Sequence, residues 1–193
     1  MLGNIVLLIV NVVLGFITVM LLARFFLQWL RLPFRNQVGQ FVLSTTDWLV
    51  RPLRRVVPGL FGLDLASLLP AWVAQTLYVF IELSLRGVPF DGGAAGVLLG
   101  LWGLGVVELL RMAIYLVFAV VLISAVLSWV SPHAPAAPLF HGFAAPFLRP
   151  FRRIVPMIAN VDLSPLVLLL VLQIVLMVVS SLRANFIPLL VAG

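Results

Sequence analysis

Three arginines and two prolines stand within eight residues as RPLRRVVP at 51–58, and they return as RPFRRIVP at 149–156. Guanidinium is less strongly hydrated than ammonium and grips phosphate oxygens through a bidentate fork. Arg51, Arg54, Arg55, Arg149, Arg152 and Arg153 are therefore the residues whose type and spacing suit anionic lipid headgroups or an acidic protein surface. Asp64 in GLDLASL and Asp162 in NVDLSPL open the apolar runs that follow. There a carboxylate can accept from free N–H groups at the positive end of a helix, or pair with an arginine of the same loop. Gln75 and Gln173 lie eleven residues further on, roughly 16 Å at helical rise. An amide at that depth needs a partner across helices, so the two are expected to meet at the centre of the molecule.

Other chemistry is hard to assemble. The chain has no cysteine, and His133 and His141 lie eight apart in a Pro/Ala-rich stretch without a third ligand at metal spacing. No Ser–His–Asp set, Gly-rich phosphate loop or cofactor motif is present, so neither an enzyme nor a metal or cofactor site is expected. Glu82/Arg86 and Glu108/Arg111 have i,i+4 and i,i+3 spacing and should pair along their own helices. Counted from the arginine loops, both pairs fall about 27 Å away, in an outer-interface layer shared by Arg183. Arg24 is expected to snorkel toward the opposite face. No ionisable residue then falls at the middle of a crossing, where ion- and proton-coupled carriers usually keep one. Nucleic acid is not an expected partner, since the arginines are few and no groove-reading element accompanies them.

The elements that would position these residues are apolar. Hydrophobic residues make up 64% of the 193 and charged residues 9%. Runs of about 20 apolar residues, the length that crosses a hydrocarbon core, recur at 5–30, 64–85, 94–130 and 162–186. The start, MLGNIVLLIV, lacks a basic n-region and reads as a retained first helix. This is an all-α, multi-pass membrane protein.

Internal repetition organises it. Arg51/Arg149, Pro52/Pro150, Arg54/Arg152, Arg55/Arg153, Pro58/Pro156, Asp64/Asp162 and Gln75/Gln173 all match at an offset of ninety-eight, and Trp29 matches Trp129 at one hundred. Residues 1–90 are then one repeat and 91–193 a second. Each repeat holds two crossings joined by an amphipathic basic segment, and the two are parallel, related by an axis along the membrane normal. Five arginines lie in 31–58 and three in 131–158, against none in 87–95. Positive-inside bias puts both basic segments in the cytoplasm and both termini on the periplasmic side of a bacterial inner membrane. In each segment the aromatic and aliphatic residues (Trp48, Leu49, Leu53, Val56, Val57; Phe147, Leu148, Phe151, Ile154, Val155) should face lipid, with the arginines above. Pro52 and Pro150 should each open a new turn after a bend, and Pro58 and Pro156 should stop it. Residues 94–107 are either an in-plane outer helix or the long beginning of the third crossing. The Gly96/Gly100 and Ser124/Ser128 spacings favour close helix contacts, within the chain or in a homo-oligomer.

A doubled unit in which Trp precedes R-P-L/F-R-R-V/I-x-P and Asp opens the next apolar helix resembles the YggT family of bacterial integral membrane proteins, whose plastid and cyanobacterial relatives are called YlmG. On that resemblance the family loop falls on Arg51–Pro58 and Arg149–Pro156, and its helix-opening acid on Asp64 and Asp162. The first copy departs from it with DLASLLP, which puts Pro70 a turn later, so a kink is expected there. The resemblance implies links to cell division or shape, nucleoid distribution and tolerance of osmotic stress, without a defined activity. The expected function is a non-enzymatic organising protein of the inner membrane whose paired arginine loops engage anionic lipid or an acidic protein partner. The alternative is a channel or transporter subunit in osmotic or ion homeostasis, with Gln75 and Gln173 lining a path in an oligomer.

Overall fold

The computed structural model describes residues 2–57, 64–131, 133–155 and 162–191. Six helices follow in order: α1 Leu2–Trp29, α2 Gln37–Leu53, α3 Leu65–Leu85, α4 Gly93–Val130, α5 Ala137–Arg152 and α6 Ser164–Val191. The pattern is long, short, long, written twice. Four of them (α1, α3, α4 and α6) are long and apolar enough to cross a membrane, which makes this a membrane protein of four candidate spans. Pro58 and Pro156 lie outside the described residues.

The ends of the helices follow from local chemistry. Asn36 caps α2, its side-chain oxygen accepting from the Gly39 N–H at 2.7 Å. Helix α1 closes with the Leu32 N–H on the Leu27 carbonyl, which places Arg31 in the left-handed region at φ 55°. Helix α3 closes the same way, Val88 N–H on the Leu83 carbonyl, with Gly87 at φ 72°. Glycine takes that conformation without strain, whereas a side chain costs about 1 kcal/mol there. Pro165 occupies the first turn of α6, where no N–H is needed. Pro70 lies inside a continuous α3.

Residues 94–107 belong to α4, which runs 38 residues without a break, roughly 57 Å. The glycines there serve close approach. A Cβ on Gly96 would stand 2.8 Å from the Leu189 carbonyl oxygen, and one on Gly100 would stand 2.6 Å from Leu190 Cδ2. The Gly96/Gly100 contact is therefore made within the chain, against α6.

Helix α1 packs on α3, and α4 on α6; α1 and α4 meet at the centre, and α3 also contacts α4. Leu21, Leu22, Val50, Ala66, Ala71 and Leu109 form one core cluster, and Leu27, Val117, Val121, Phe143 and Leu148 another. Helix α2 lies against α1 and α3, and α5 against α4 and α6. Both short helices sit at the same end of the bundle. The Phe26 ring lies 5.4 Å from Phe143 and 6.3 Å from Phe147 of α5, while Arg24, on the same stretch of α1, holds α2.

Candidate functional site

The charge of this molecule is distributed unevenly. Nine of the twelve arginines (24, 31, 35, 51, 54, 55, 149, 152 and 153) belong to the α2/α5 end, with Asp47, Asp64 and Asp162; Arg86, Arg111 and Arg183 stand toward the other end with Glu82, Asp91 and Glu108. Three against three cancel at that end. The whole net charge of +6 therefore belongs to the α2/α5 end.

Seven arginines are paired. Arg54 Nη2 reaches Asp64 at 2.6 Å and also donates to the Gln28 side chain at 2.7 Å. Arg152 Nε reaches Asp162 at 2.8 Å, the equivalent contact in the second half. Arg51 pairs with Asp47 at 2.7 Å. Arg31, Arg35, Arg55, Arg149 and Arg153 are exposed and form no ion pair among the described residues. Of the six loop arginines, then, Arg55, Arg149 and Arg153 carry no ion pair among the described residues.

Both short helices are amphipathic in a different way from the sequence expectation. Helix α2 starts ten residues before Asp47, and Val42, Thr46 and Val50 are buried against the bundle; in α5, Leu139, Phe143 and Leu148 are buried. Leu49, Leu53, Phe147 and Phe151 pack beside those rows. Only part of the expected apolar face remains outward: Trp48 is 67% exposed, and Val56 and Ile154 are 79% exposed. Pro52 and Pro150 lie inside the last turns of α2 and α5, so neither opens a new turn. Each helix instead carries its proline close to its C-terminus, with Arg54 and Arg55 just past the end of α2, Arg152 the last residue of α5 and Arg153 just beyond it.

The two helix-opening acids differ. Asp64 stands at the N-cap of α3 but its carboxylate makes no bond to a helix N–H; Oδ2 accepts from Arg54 and from the Ser67 hydroxyl at 2.7 Å. Asp162 Oδ1 accepts the Ser164 N–H at 2.9 Å. Burial raises the Asp162 pKa, but the bonds from Ser164 and the Arg152 guanidinium outweigh it and hold the carboxyl below its ordinary value.

Gln75 and Gln173 do not meet. Gln75 is 1% exposed and donates to the Thr18 hydroxyl at 2.8 Å, its Oε1 without a partner. Gln173 lies on the exposed face of α6. The reason is azimuth: equal depth does not give equal facing, and Phe118 stands in α4 where α1 has Thr18.

Arg24 does not snorkel. It is 3% exposed, and its Nη1 donates to Thr46 Oγ1 and Asp47 Oδ1, both at 2.8 Å. Its counterpart Ser124 meets His141 Nδ1 at 2.7 Å, tying α4 to α5.

Toward the other end the along-helix pairs Glu82–Arg86 and Glu108–Arg111 form, at 2.8 Å each. Arg183 of α6 joins them into one network, with Nη2 on Glu82 at 2.6 Å and Nη1 on Glu108 at 3.0 Å. Both carboxylates are buried, at 3% and 5% exposure. Beside the network is a cavity of about 180 Å³ lined by Asn11, Tyr78, Arg111, Tyr115 and Arg183, to which all four long helices contribute. Sequence reasoning placed these charges at one depth but missed the bridge, whose partners lie 75 and 101 residues from Arg183.

The CCB3/YggT family profile matches residues 3–85 and 104–183, ranges that correspond to α1–α3 and most of α4–α6. An uncharacterised Pseudomonas aeruginosa protein is 35% identical over 166 residues, covering 84% of this chain and 82% of its own length. Escherichia coli YggT is 34% identical over 165 residues, covering 85% and 83%. A Vibrio alginolyticus protein, described by its position 3′ of proC, is 38% identical over 151 residues, covering 78% and 80%. No solved structure matches. By the two matched ranges and these relatives, the chain belongs to the CCB3/YggT family.

Proposed function

We propose that this chain is a non-enzymatic organising protein of the bacterial inner membrane, and that its α2/α5 end docks on the anionic headgroups of the cytoplasmic leaflet. The halves 1–90 and 91–193 act as parallel repeats, so both basic helices face the same leaflet and both termini face the periplasm. The observation that carries this reading is the confinement of the net charge of +6 to the end with two amphipathic helices. Exposed Val56 and Ile154 directly follow Arg55 and Arg153 in the chain, and Trp48 is exposed on α2. An apolar side chain next to an unpaired arginine suits the headgroup–acyl boundary, where each near-surface Arg adds about 1 kcal/mol of attraction to an acidic leaflet. Gathering acidic lipid around itself would let the protein organise partners in division or envelope assembly.

The test is the lipid that stays with the purified protein. Replacing Arg55, Arg149 and Arg153 with Gln should deplete anionic phospholipid from the co-purified pool while insertion and thermal midpoint persist. An unchanged anionic fraction rejects the reading.

A second reading, a channel or transporter subunit, has the polar 180 Å³ cavity in its favour. Ion flux in proteoliposomes that falls on Arg111→Gln would support it, and purified protein without flux would reject it.

A further inference from the structure

A second, larger hollow shares no lining residue with the polar cavity. It is a groove of about 530 Å³ between α1, α3 and α4, lined by Phe25, Phe26, Leu68, Trp72, Val106 and Leu109 among other apolar residues. That volume lies within the ~300–1,000 Å³ range of ligand pockets. A smaller hollow of about 340 Å³, lined by Trp102 and Phe80 among others, shares Trp72 with the groove. Followed along α3 from Leu68 to Phe80, the two run twelve residues, roughly 18 Å at helical rise. One leaflet contributes about 15 Å of a hydrocarbon core some 30 Å thick. End to end, the two hollows that meet at Trp72 are about as long as a lipid tail.

Its lower end is marked by charge. Gln28 lies three residues beyond Phe25 on α1, and Asp64 lies four before Leu68 on α3. Arg54 binds both, so its guanidinium sits one helical turn past the end of the groove. Arg54 remains 43% exposed at its side chain, and the neighbouring Arg55 is exposed without an ion pair among the described residues. An apolar slot ending near the Arg54 guanidinium, with exposed Arg55 next in sequence, is complementary to a molecule with an acyl tail and a phosphate head.

We infer that this groove binds one acyl chain of an anionic phospholipid, with the phosphate held by Arg54 and Arg55. The inference rests on the headgroup reading above and sharpens it, because the lipid becomes a single bound molecule and not a general property of the surface. Bulk lipid would fill the same recess without regard to headgroup, and a hydrophobic helix of another protein would leave the arginine pair unused.

Trp72 reports on the groove directly. In a full-length variant with Trp29, Trp48, Trp102 and Trp129 changed to Phe, its fluorescence would be read in phosphatidylcholine vesicles. These would hold about a tenth of either brominated phosphatidylglycerol or brominated phosphatidylcholine. The bound-lipid site requires quenching by the anionic lipid at least twice that by the neutral one. Val106→Phe, at a position 44% exposed on the groove wall, should remove the difference, and so should Arg55→Gln. Leu69→Phe, on the same wall, guards against a folding defect peculiar to one variant. Equal quenching by the two lipids overturns the inference. So does a difference that survives both groove-filling changes, and if Arg55→Gln alone abolishes it, headgroup docking stands and the groove does not.

Discussion

Among the described residues, the first half of the molecule has buried polar ties that the second half does not repeat at the matching positions. Helix α1 holds α2 through the buried Arg24–Asp47 pair and Thr46; α4 holds α5 through Ser124 and His141. Gln75 is fixed to Thr18, while Gln173 faces outward. Asp64 is buried beneath Arg54, and Asp162 is a quarter exposed beside Arg152. The same loop motif therefore sits on two kinds of support, one polar and dry, the other mainly aromatic. Phe143 and Phe147 stack at 6.3 Å in the second half, next to Phe26 of the first. Matched spacing goes with matched element order and matched loop ion pairs, while the contacts beneath them differ.

The joint between halves is the place to break this comparison hardest. Arg183 belongs to the second half and Glu82 to the first. Breaking a buried ion pair costs about 3–5 kcal/mol, and because Glu82 and Glu108 keep Arg86 and Arg111 the loss here belongs at the low end of that range. Arg183→Met should lower the thermal midpoint in detergent more than any other single change considered for this protein. If it leaves the midpoint unmoved, the halves are held by apolar packing alone.

The second contrast is between the two ties to the short helices. Arg24→Ala strips a buried guanidinium whose Nη1 donates to both Thr46 and Asp47, and should cost about 2–3 kcal/mol, since Asp47 keeps Arg51. Ser124→Ala removes one ordinary hydrogen bond, about 1 kcal/mol. Equal losses, measured by denaturation of the two variants, would erase the distinction.

Much of this architecture was legible beforehand, and what was not has a physical reason. Apolar run lengths located α1, α3 and α6, and the ninety-eight-residue offset pointed to the arginine–aspartate loops. The offset is also why Arg54–Asp64 and Arg152–Asp162 appear as matching contacts. The start of α2 was harder to see, because residues 37–46 are polar enough to read as loop; Asn36 followed by Gly39 was the usable signal. Depth could be counted along a helix, yet facing could not. Counting therefore put Gln75 and Gln173 at one level and Arg183 beside two glutamates, but it could not say which would touch. Residues 94–107 admitted either an in-plane helix or the long beginning of the third crossing, and the unbroken α4, with its glycines against Leu189 and Leu190, decides that.

The amide pair gives a finer test. Gln75→Leu loses the Thr18 bond but also removes an unpartnered Oε1, so the net cost should be about 0.5–1.5 kcal/mol, within the range of interhelical polar bonds. Gln173→Leu should change stability by less than about 0.5 kcal/mol, as expected for an outward position away from any bond. A large loss at Gln173 measured in the same unfolding assay would show that a second copy or another chain covers α6.

The smallest effect separates the two aspartates by pH. The folded pKa of Asp162 is depressed, so its contribution is complete above the unfolded value and is lost as pH falls through the folded one. The unfolded value lies near 3.9, so the thermal midpoint should decline on an acid limb that begins below about pH 4. Asp162→Asn keeps an acceptor for the Ser164 N–H but removes the charge opposite Arg152. It should flatten that limb, with a loss at neutral pH of about 0.5 kcal/mol, the scale of a half-exposed ion pair. Asp64→Asn acts on a buried carboxylate that Arg54 and Ser67 share, and should lower the midpoint at neutral pH by more. If the order were reversed, the exposed pair would be the stronger anchor, and the loop of the second half, not the first, would be the one held rigid for its ligand.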